Sequence, residues 1–459
     1  MRASADKPSL WSRAAAGVSA LRLSLPRSAT APFCPPEVRG TIVVPLGLPV
    51  LQKLLRFAGP GLLVSVGYMD PGNWATDIEA GSRYGYGLLF VVVLTSLAAI
   101  LLQILSMRLG IAAGRDLAQM VRERYSPAAA RFLWLLAELA IIATDVAEVL
   151  GSALAIKLLF GLPLWLGILA TILDTVVVLG LKGQGFRQIE AIILGLVVTI
   201  GICFALELAI SRPNGQEIAS GLVPSFALLQ EPGALYLAVG ILGATVMPHN
   251  LYLHSSIVQT RLVRPDVAGK RDALRYETID IVGALLMAAL VNAAILIVAA
   301  STFHAAGHTG VTDIQDAYRL LEPITGAAIA APLFGIALLA SGQSATFTGT
   351  VAGQVVLEGF LNVWIPCWQR RLITRGLALV PALAGILILG DDAVGQLLVV
   401  SQVVLSAQLP FAIFPLLRFT ADRGIMGRFA SPLWLTLGGW IVFGVITAAN
   451  IWLVARIFT

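Results

Sequence analysis

The sequence predicts an all-α polytopic membrane protein of eleven transmembrane helices, and three observations carry that prediction. Charged residues make up only 12% of the 459 positions while 58% are hydrophobic, whereas a soluble surface of this size needs about 25% charge. Apolar stretches of about 20 residues, enough to cross ~30 Å of hydrocarbon, recur along the whole chain. The 44 Gly and 23 Pro fit membrane helices that pack closely and break in places.

In order, the spans fall near 57–82, 87–107, 132–157, 163–181, 188–210, 233–258, 279–303, 329–356, 374–390, 394–417 and 433–456. The first is weak by hydropathy, because DPGNWATDIE (70–79) is polar. The basic residues argue for keeping it. With eleven spans, all of the 31 Lys and Arg except Arg83, Lys157, Arg212, Arg319 and Arg456 fall on one side; without the first span its flanking charges would change sides. The positive-inside rule then places the N-terminus in the cytoplasm and the C-terminus outside.

Residues 1–50 read as a disordered cytoplasmic tail. Positions 1–40 are rich in Arg, Ser and Ala with only Asp6 and Glu37 as acids, a composition shared with transit peptides, and they lack the apolar core of a secretory signal. An upstream start site would look the same. The transporter domain is expected over 51–456, with one repeat at about 57–210, a second at about 233–417 and an extra helix at about 433–456.

Several function classes drop out. Cys34, Cys203 and Cys367 have neither metal-ligand nor redox spacing, so no disulfide framework or structural zinc is expected. The net charge of +5 is accounted for by the cytoplasmic loops and requires no nucleic acid. No G-x-x-x-x-G-K-[ST] loop occurs, so energy must come from gradients, and the protein is not read as an enzyme.

Polar groups inside the spans carry the function, because each is costly there. In the first span, GPGLLVSVGYM (59–69) runs into Asp70-Pro71-Gly72-Asn73. Pro71 lacks an N–H and keeps Asp70 out of the α region, so the helix should unwind and free carbonyls beside Asp70 and Asn73. The sixth span repeats the design: Pro248 follows Met247 and cannot bond to the Ala244 carbonyl one turn earlier. Ordinary proline kinks would break both helices too, but would not bring a carboxylate, an amide and a thioether to the breaks. A break in the first helix of each of two five-helix halves points to an inverted-repeat transporter with a site at mid-membrane. Asp70 offers a hard anionic oxygen, Asn73 and the Ala244 carbonyl neutral oxygens, and Met247 a soft sulfur, a set that tilts toward transition metals over magnesium or calcium.

Asp70-Pro71-Gly72-Asn73 and Met247-Pro248-His249 resemble the two signature motifs of the Nramp family (natural resistance-associated macrophage proteins), proton-coupled divalent metal transporters. GQSATFTGTVAGQVVLEGFL (342–361) is similar to that family's third conserved stretch, and the likeness covers about 53–456. The resemblance implies the leucine-transporter-type fold with two inverted five-helix repeats, Mn2+ and Fe2+ as cargo, and proton symport across a bacterial plasma membrane. It implies Asp70, Asn73, Met247 and the Ala244 carbonyl as metal ligands, with Gln408 joining when the site closes. It implies a proton pathway through Asp70, Asp145 and Glu148, with His249, His254 and the Arg370-Arg371 pair. The retained methionine disfavours the magnesium and aluminium branches of the superfamily, while the long N-terminal tail departs from the family pattern.

Asp145 and Glu148, three apart, share one face of the third helix, as a relay or as a buried polar cluster with a basic partner. His249 can titrate near neutral pH or simply hold unwound backbone. Asp77 and Glu79 are expected to line an entrance and His304 and His308 to form a surface pair, while Asp174, Glu190, Asp280 and Glu358, near span ends or helix contacts, are assigned no role. The partners expected are divalent ions, protons and lipid, with no resident cofactor and no obligatory protein. Two other classes fit less well. A carrier of organic solutes would find Asp70 repelling a substrate carboxylate, and a metal sensor would need a signalling domain that no loop is long enough to supply.

Overall fold

The computed structural model describes residues 40, 42–44, 48–173, 186–363 and 367–457. Strand β1 (Ile42–Val43) pairs in parallel with β2 (Arg261–Leu262), Ile42 opposite Arg261. Helix α1 (Val50–Phe57) is amphipathic. Its Phe57 ring stacks on Tyr276 at 5.6 Å and Lys53 pairs with Asp272 at 2.8 Å, leaving Val50, Leu51 and Leu55 exposed.

The first membrane helix is in two pieces, α2 (Pro60–Gly67) and α3 (Pro71–Tyr84). Then come α4 (Leu89–Ala113), α5 (Leu117–Arg124), α6 (Pro127–Phe160) and α7 (Leu164–Ala170). After α8 (Phe186–Ser211) and α9 (Gly215–Gly221), the sixth membrane helix is again in two pieces, α10 (Pro232–Val246) and α11 (Pro248–Ile257). Helix α12 (Val267–Ala299) ends in a π turn over Ala300–His304. The chain closes with α13 (Ile314–Thr325), α14 (Ala330–Leu361), α15 (Cys367–Leu389), α16 (Val394–Ala421), α17 (Arg423–Met426) and α18 (Leu433–Ile457).

Local chemistry sets these limits. Asp116 and Gln119 make a reciprocal capping box at α5, while Ser126 and Asp266 cap α6 and α12. Gly114, Gly161 and Gly326 stop their helices in the left-handed conformation. Helix α6 packs along α14 and α16, and α12 packs against α2, α3 and α4, so both broken helices lie inside the bundle.

Among the described residues, nine helical stretches are long and apolar enough to span a membrane. Two of the eleven expected spans account for the difference. The second piece of the first helix joins α4 in one stretch, Pro71–Ala113, and the fourth span, 163–181, is described only to position 173.

Polar contacts gather at the two ends of the bundle. At one end Arg261 pairs with Glu190 at 2.9 Å, Arg187 donates to the Ala58 carbonyl at 2.6 Å and Arg122 to the Glu358 carbonyl at 3.0 Å. The other end holds Lys157 with Asp391 at 2.6 Å and Arg83 with Glu79 at 3.8 Å. Glu190 and Asp280, assigned no role from sequence, act in structure: Glu190 holds Arg261, and Asp280 accepts from the Gly61 N–H at 2.7 Å and fixes the start of α2. Cys203 is buried and free, while Asp174, Cys34 and the Cys367 side chain lie outside the described residues.

Candidate metal site

The two breaks come together at the centre of the bundle. Between α2 and α3 the chain is extended at Asp70 (φ −71°, ψ 166°), whose carboxylate accepts from the Asn73 N–H at 2.9 Å. The freed carbonyls are met by side chains: Asn292 Nδ2 donates to the Tyr68 carbonyl at 2.8 Å, and Ser341 Oγ to that of Met69 at 2.5 Å. Asp70 Oδ2 has no hydrogen-bond partner although the residue is 0% exposed. A buried carboxylate oxygen left open in this way is what a cation would complete.

At the second break α10 stops at Val246, and Met247 takes φ +31° before Pro248 starts α11. That left-handed φ is strained for any residue but glycine, and Pro248, lacking an N–H, leaves the Ala244 carbonyl free at the break. The Asn73 carboxamide spans the gap. In the orientation that satisfies its hydrogen bonds, Nδ2 donates to Asp70 Oδ1 at 2.7 Å and to the Ala244 carbonyl at 3.2 Å, while Oδ1 accepts from Asn292 Nδ2 at 3.0 Å. Met247 Sδ accepts from Asn250 Nδ2 at 3.6 Å. Asp70, Asn73 and the Ala244 carbonyl therefore converge across the two breaks, with Met247 at the second, and all four residues are sealed from solvent. No three His, Cys, Asp or Glu side chains cluster as a metal site among the described residues.

Of the two tenth-helix glutamines, Gln402 is the one the structure sets against Gly72 of the first break. A Cβ at Gly72 would run into the Gln402 carboxamide, so α16 meets the break through Gln402. Gln408 instead lies beside the Tyr252 hydroxyl of α11. The two stand six positions apart in SQVVLSAQ and cannot share a helix face, a distinction that their matching residue type conceals.

A polar seam leaves the break along α6. Pro71 packs directly on Gly151, and Glu148 and Asp145 follow one and two turns down, both facing Gly349 of α14. Arg375 Nη1 stands 3.6 Å from Glu148 Oε2, and Arg370 pairs with Glu138 at 2.5 Å. Glu138, a charge within an apolar run, escaped the sequence reading, and Arg375, counted there only among the cytoplasmic-side charges, is buried beside Glu148. The Arg371 side chain lies outside the described residues. On α11, His249 Nδ1 is 3.3 Å from Thr144 Oγ1, and His254 Nδ1 is 2.9 Å from Gln103 Oε1. Asp77 does not line an open entrance here: it is 1% exposed, because α3 is buried along that face. His304 and His308 are exposed, as expected of a surface pair.

Two broken membrane helices crossing at a sealed polar site, inside an otherwise helical bundle, define a membrane transporter of the leucine-transporter fold and not an enzyme. The model of the natural resistance-associated macrophage protein-like family, Nramp, matches residues 61–456, and the chain belongs to that family. It is 63% identical over 434 residues to the divalent metal cation transporter MntH of Ralstonia nicotianae, covering 95% of this chain and 98% of the relative. It is 62% identical over 431 residues to the divalent metal cation transporter MntH 1 of Pseudomonas aeruginosa, covering 94% and 98%. Among solved structures, the manganese transporter of Eremococcus coleocola matches with a TM-score of 0.84 at 38% identity, over 90% of this chain and 89% of that one. Mhp1, a nucleobase-cation-symport-1 family transporter, shares the fold alone, with a TM-score of 0.56 at 15% identity over 94% and 96%.

Proposed function

We propose that this metal-ion transporter imports Mn2+, with Fe2+ and similar ions accepted, across the bacterial inner membrane in symport with protons. The N-terminus lies in the cytoplasm and the C-terminus outside, and the two five-helix repeats run over about 57–210 and 233–417. The observation that carries the reading is that an open carboxylate, a carboxamide and a freed backbone carbonyl meet, sealed from solvent, across two helix breaks, the second of which carries a thioether. One negative charge binds a divalent ion without trapping it, and the sulfur favours Mn2+ or Fe2+ over the harder Mg2+ and Ca2+. The relatives named above for manganese or divalent metal cations support the same cargo.

In this reading Asp70, Asn73, Met247 and the Ala244 carbonyl hold the ion while the helices around it rock between outward and inward openings. Gln408, or Gln402 from its place beside Gly72, closes over it. Metal and proton compete for Asp70, and the displaced proton passes to Glu148 and Asp145, past Arg375, toward Arg370 and Arg371. His249 and His254 serve the cytoplasmic half of the path. No resident cofactor is needed, since the ion is cargo.

Uptake into proteoliposomes with internal pH recorded tests this directly. Mn2+ entry should be saturable, outcompete Ca2+ and acidify the lumen. Entry without acidification would remove the proton coupling, and no entry of any divalent ion would overturn the function.

A further inference from the structure

The Asn73 carboxamide has two orientations, and only one of them serves a cation. With nitrogen turned inward it donates to Asp70 Oδ1 and to the Ala244 carbonyl, and its oxygen receives Asn292 Nδ2 at 3.0 Å. Turned over, its oxygen stands 2.7 Å from Asp70 Oδ1 and 3.2 Å from the Ala244 carbonyl. Three oxygens brought together in this way repel one another unless a cation lies among them. The same half-turn points the Asn73 NH2 group at Asn292.

Asn292 cannot readily adapt. Its own NH2 is held by the Tyr68 carbonyl at 2.8 Å, and the residue is 1% exposed. An inward Asn73 oxygen therefore sets two NH2 groups face to face, donor against donor. We propose that Asn292 is a positioning residue that holds the Asn73 carboxamide in its nitrogen-inward orientation and so weakens the hold on the cation enough for release. This inference rests on the reading of the break as the cation site. It assigns to the seventh membrane helix an effect on affinity exerted through Asn73, without contact with the ion.

The sign of the effect depends on what stands at position 73, and that dependence is the test. Mn2+ and Cd2+ affinities are measured by titration calorimetry on the purified full chain in detergent, for four proteins: wild type, Asn292→Leu, Asn73→Asp and the double variant. In the wild-type background Asn292→Leu removes the opposed donor, so affinity should rise about fivefold to tenfold, the scale of one buried hydrogen bond, and uptake turnover should fall. An aspartate at 73 has two equivalent oxygens, one for the ion and one for Asn292 Nδ2. There Asn292 assists binding, and Asn292→Leu should lower affinity. A packing role for Asn292 would shift both backgrounds in the same direction, and that outcome overturns the proposal. If the leucine variant does not purify as a monodisperse species, Asn292→Ser, whose hydroxyl stays polar toward the Tyr68 carbonyl but is too short for Asn73, is measured against the same criterion. Absence of saturable binding by the wild type would instead overturn the site itself.

Discussion

Asn73 donates its backbone N–H to Asp70 Oδ1 at 2.9 Å, so the carboxylate facing the helix break is also the cap of the helix that follows it. Structure and charge are thereby separable. Asp70→Asn keeps an oxygen for the cap and loses the charge; Asp70→Ala loses both. Saturable Mn2+ binding should vanish in both variants. Only the alanine variant should also lose the cap, about 1 kcal/mol of stability, read as a lower melting temperature. Saturable Mn2+ binding by Asp70→Ala would dismiss the proposed site.

Met247 combines a soft donor with a strained backbone, φ +31°. Met247→Ala should retain part of the Mn2+ uptake while losing discrimination against Ca2+ and Mg2+, because only oxygens remain. Met247→Gly should lose the same discrimination and be more stable than the alanine variant by about 1 kcal/mol, since glycine accepts the left-handed region. Competition uptake in vesicles and thermal melts separate the two effects. Unchanged selectivity in both variants would rule out the thioether as a ligand.

Arg375 and Glu148 are both almost wholly buried, with a separation of 3.6 Å. Removing one member of such a pair leaves the other charge in a low-dielectric interior, a loss of about 3–5 kcal/mol. Arg375→Leu should therefore melt earlier than wild type. Mn2+ affinity should hold, because Arg375 meets Glu148 and Thr346 along the seam and not the proposed ligands, whereas the proton flux accompanying uptake should fall. A variant with normal proton flux would place the proton path elsewhere.

Local chemistry made the two broken helices legible. A proline beside polar residues in an apolar run leaves few other conformations, and the structure divides the first and sixth helices at Asp70 and Met247. Partners across helices were not legible. Gln402 and Gln408 are one residue type on one helix, and only the rotation of α16 against Gly72 tells them apart. Asn292 drew no notice, because an amide in an apolar helix gives no sign of which carbonyl it meets 224 residues away. Asp77 was misplaced for the same reason: position along a helix gives depth, while exposure depends on neighbours that belong to other parts of the chain.

Gly349 tests the seam from its opposite wall. A Cβ there would stand 2.7 Å from Glu148 Oε1 and 3.3 Å from Asp145 Oδ1. Both are ends of side chains, so Gly349→Ala should displace carboxylates without prising α14 from α6. The helix itself gains from the change, by up to about 1 kcal/mol, so the melting temperature should hold or rise. Mn2+ binding should stay within about twofold of wild type, since the break is untouched and a shift of well under 1.4 kcal/mol is expected there. Proton entry during uptake should fall, because the two carboxylates that face this glycine no longer share their geometry. Gly349→Val carries more bulk into the same gap and should lower the melting temperature as well. If Gly349→Ala moves protons and metal as the wild type does, Asp145 and Glu148 are a structural pair, and the route for the proton must be sought along the histidines of α11.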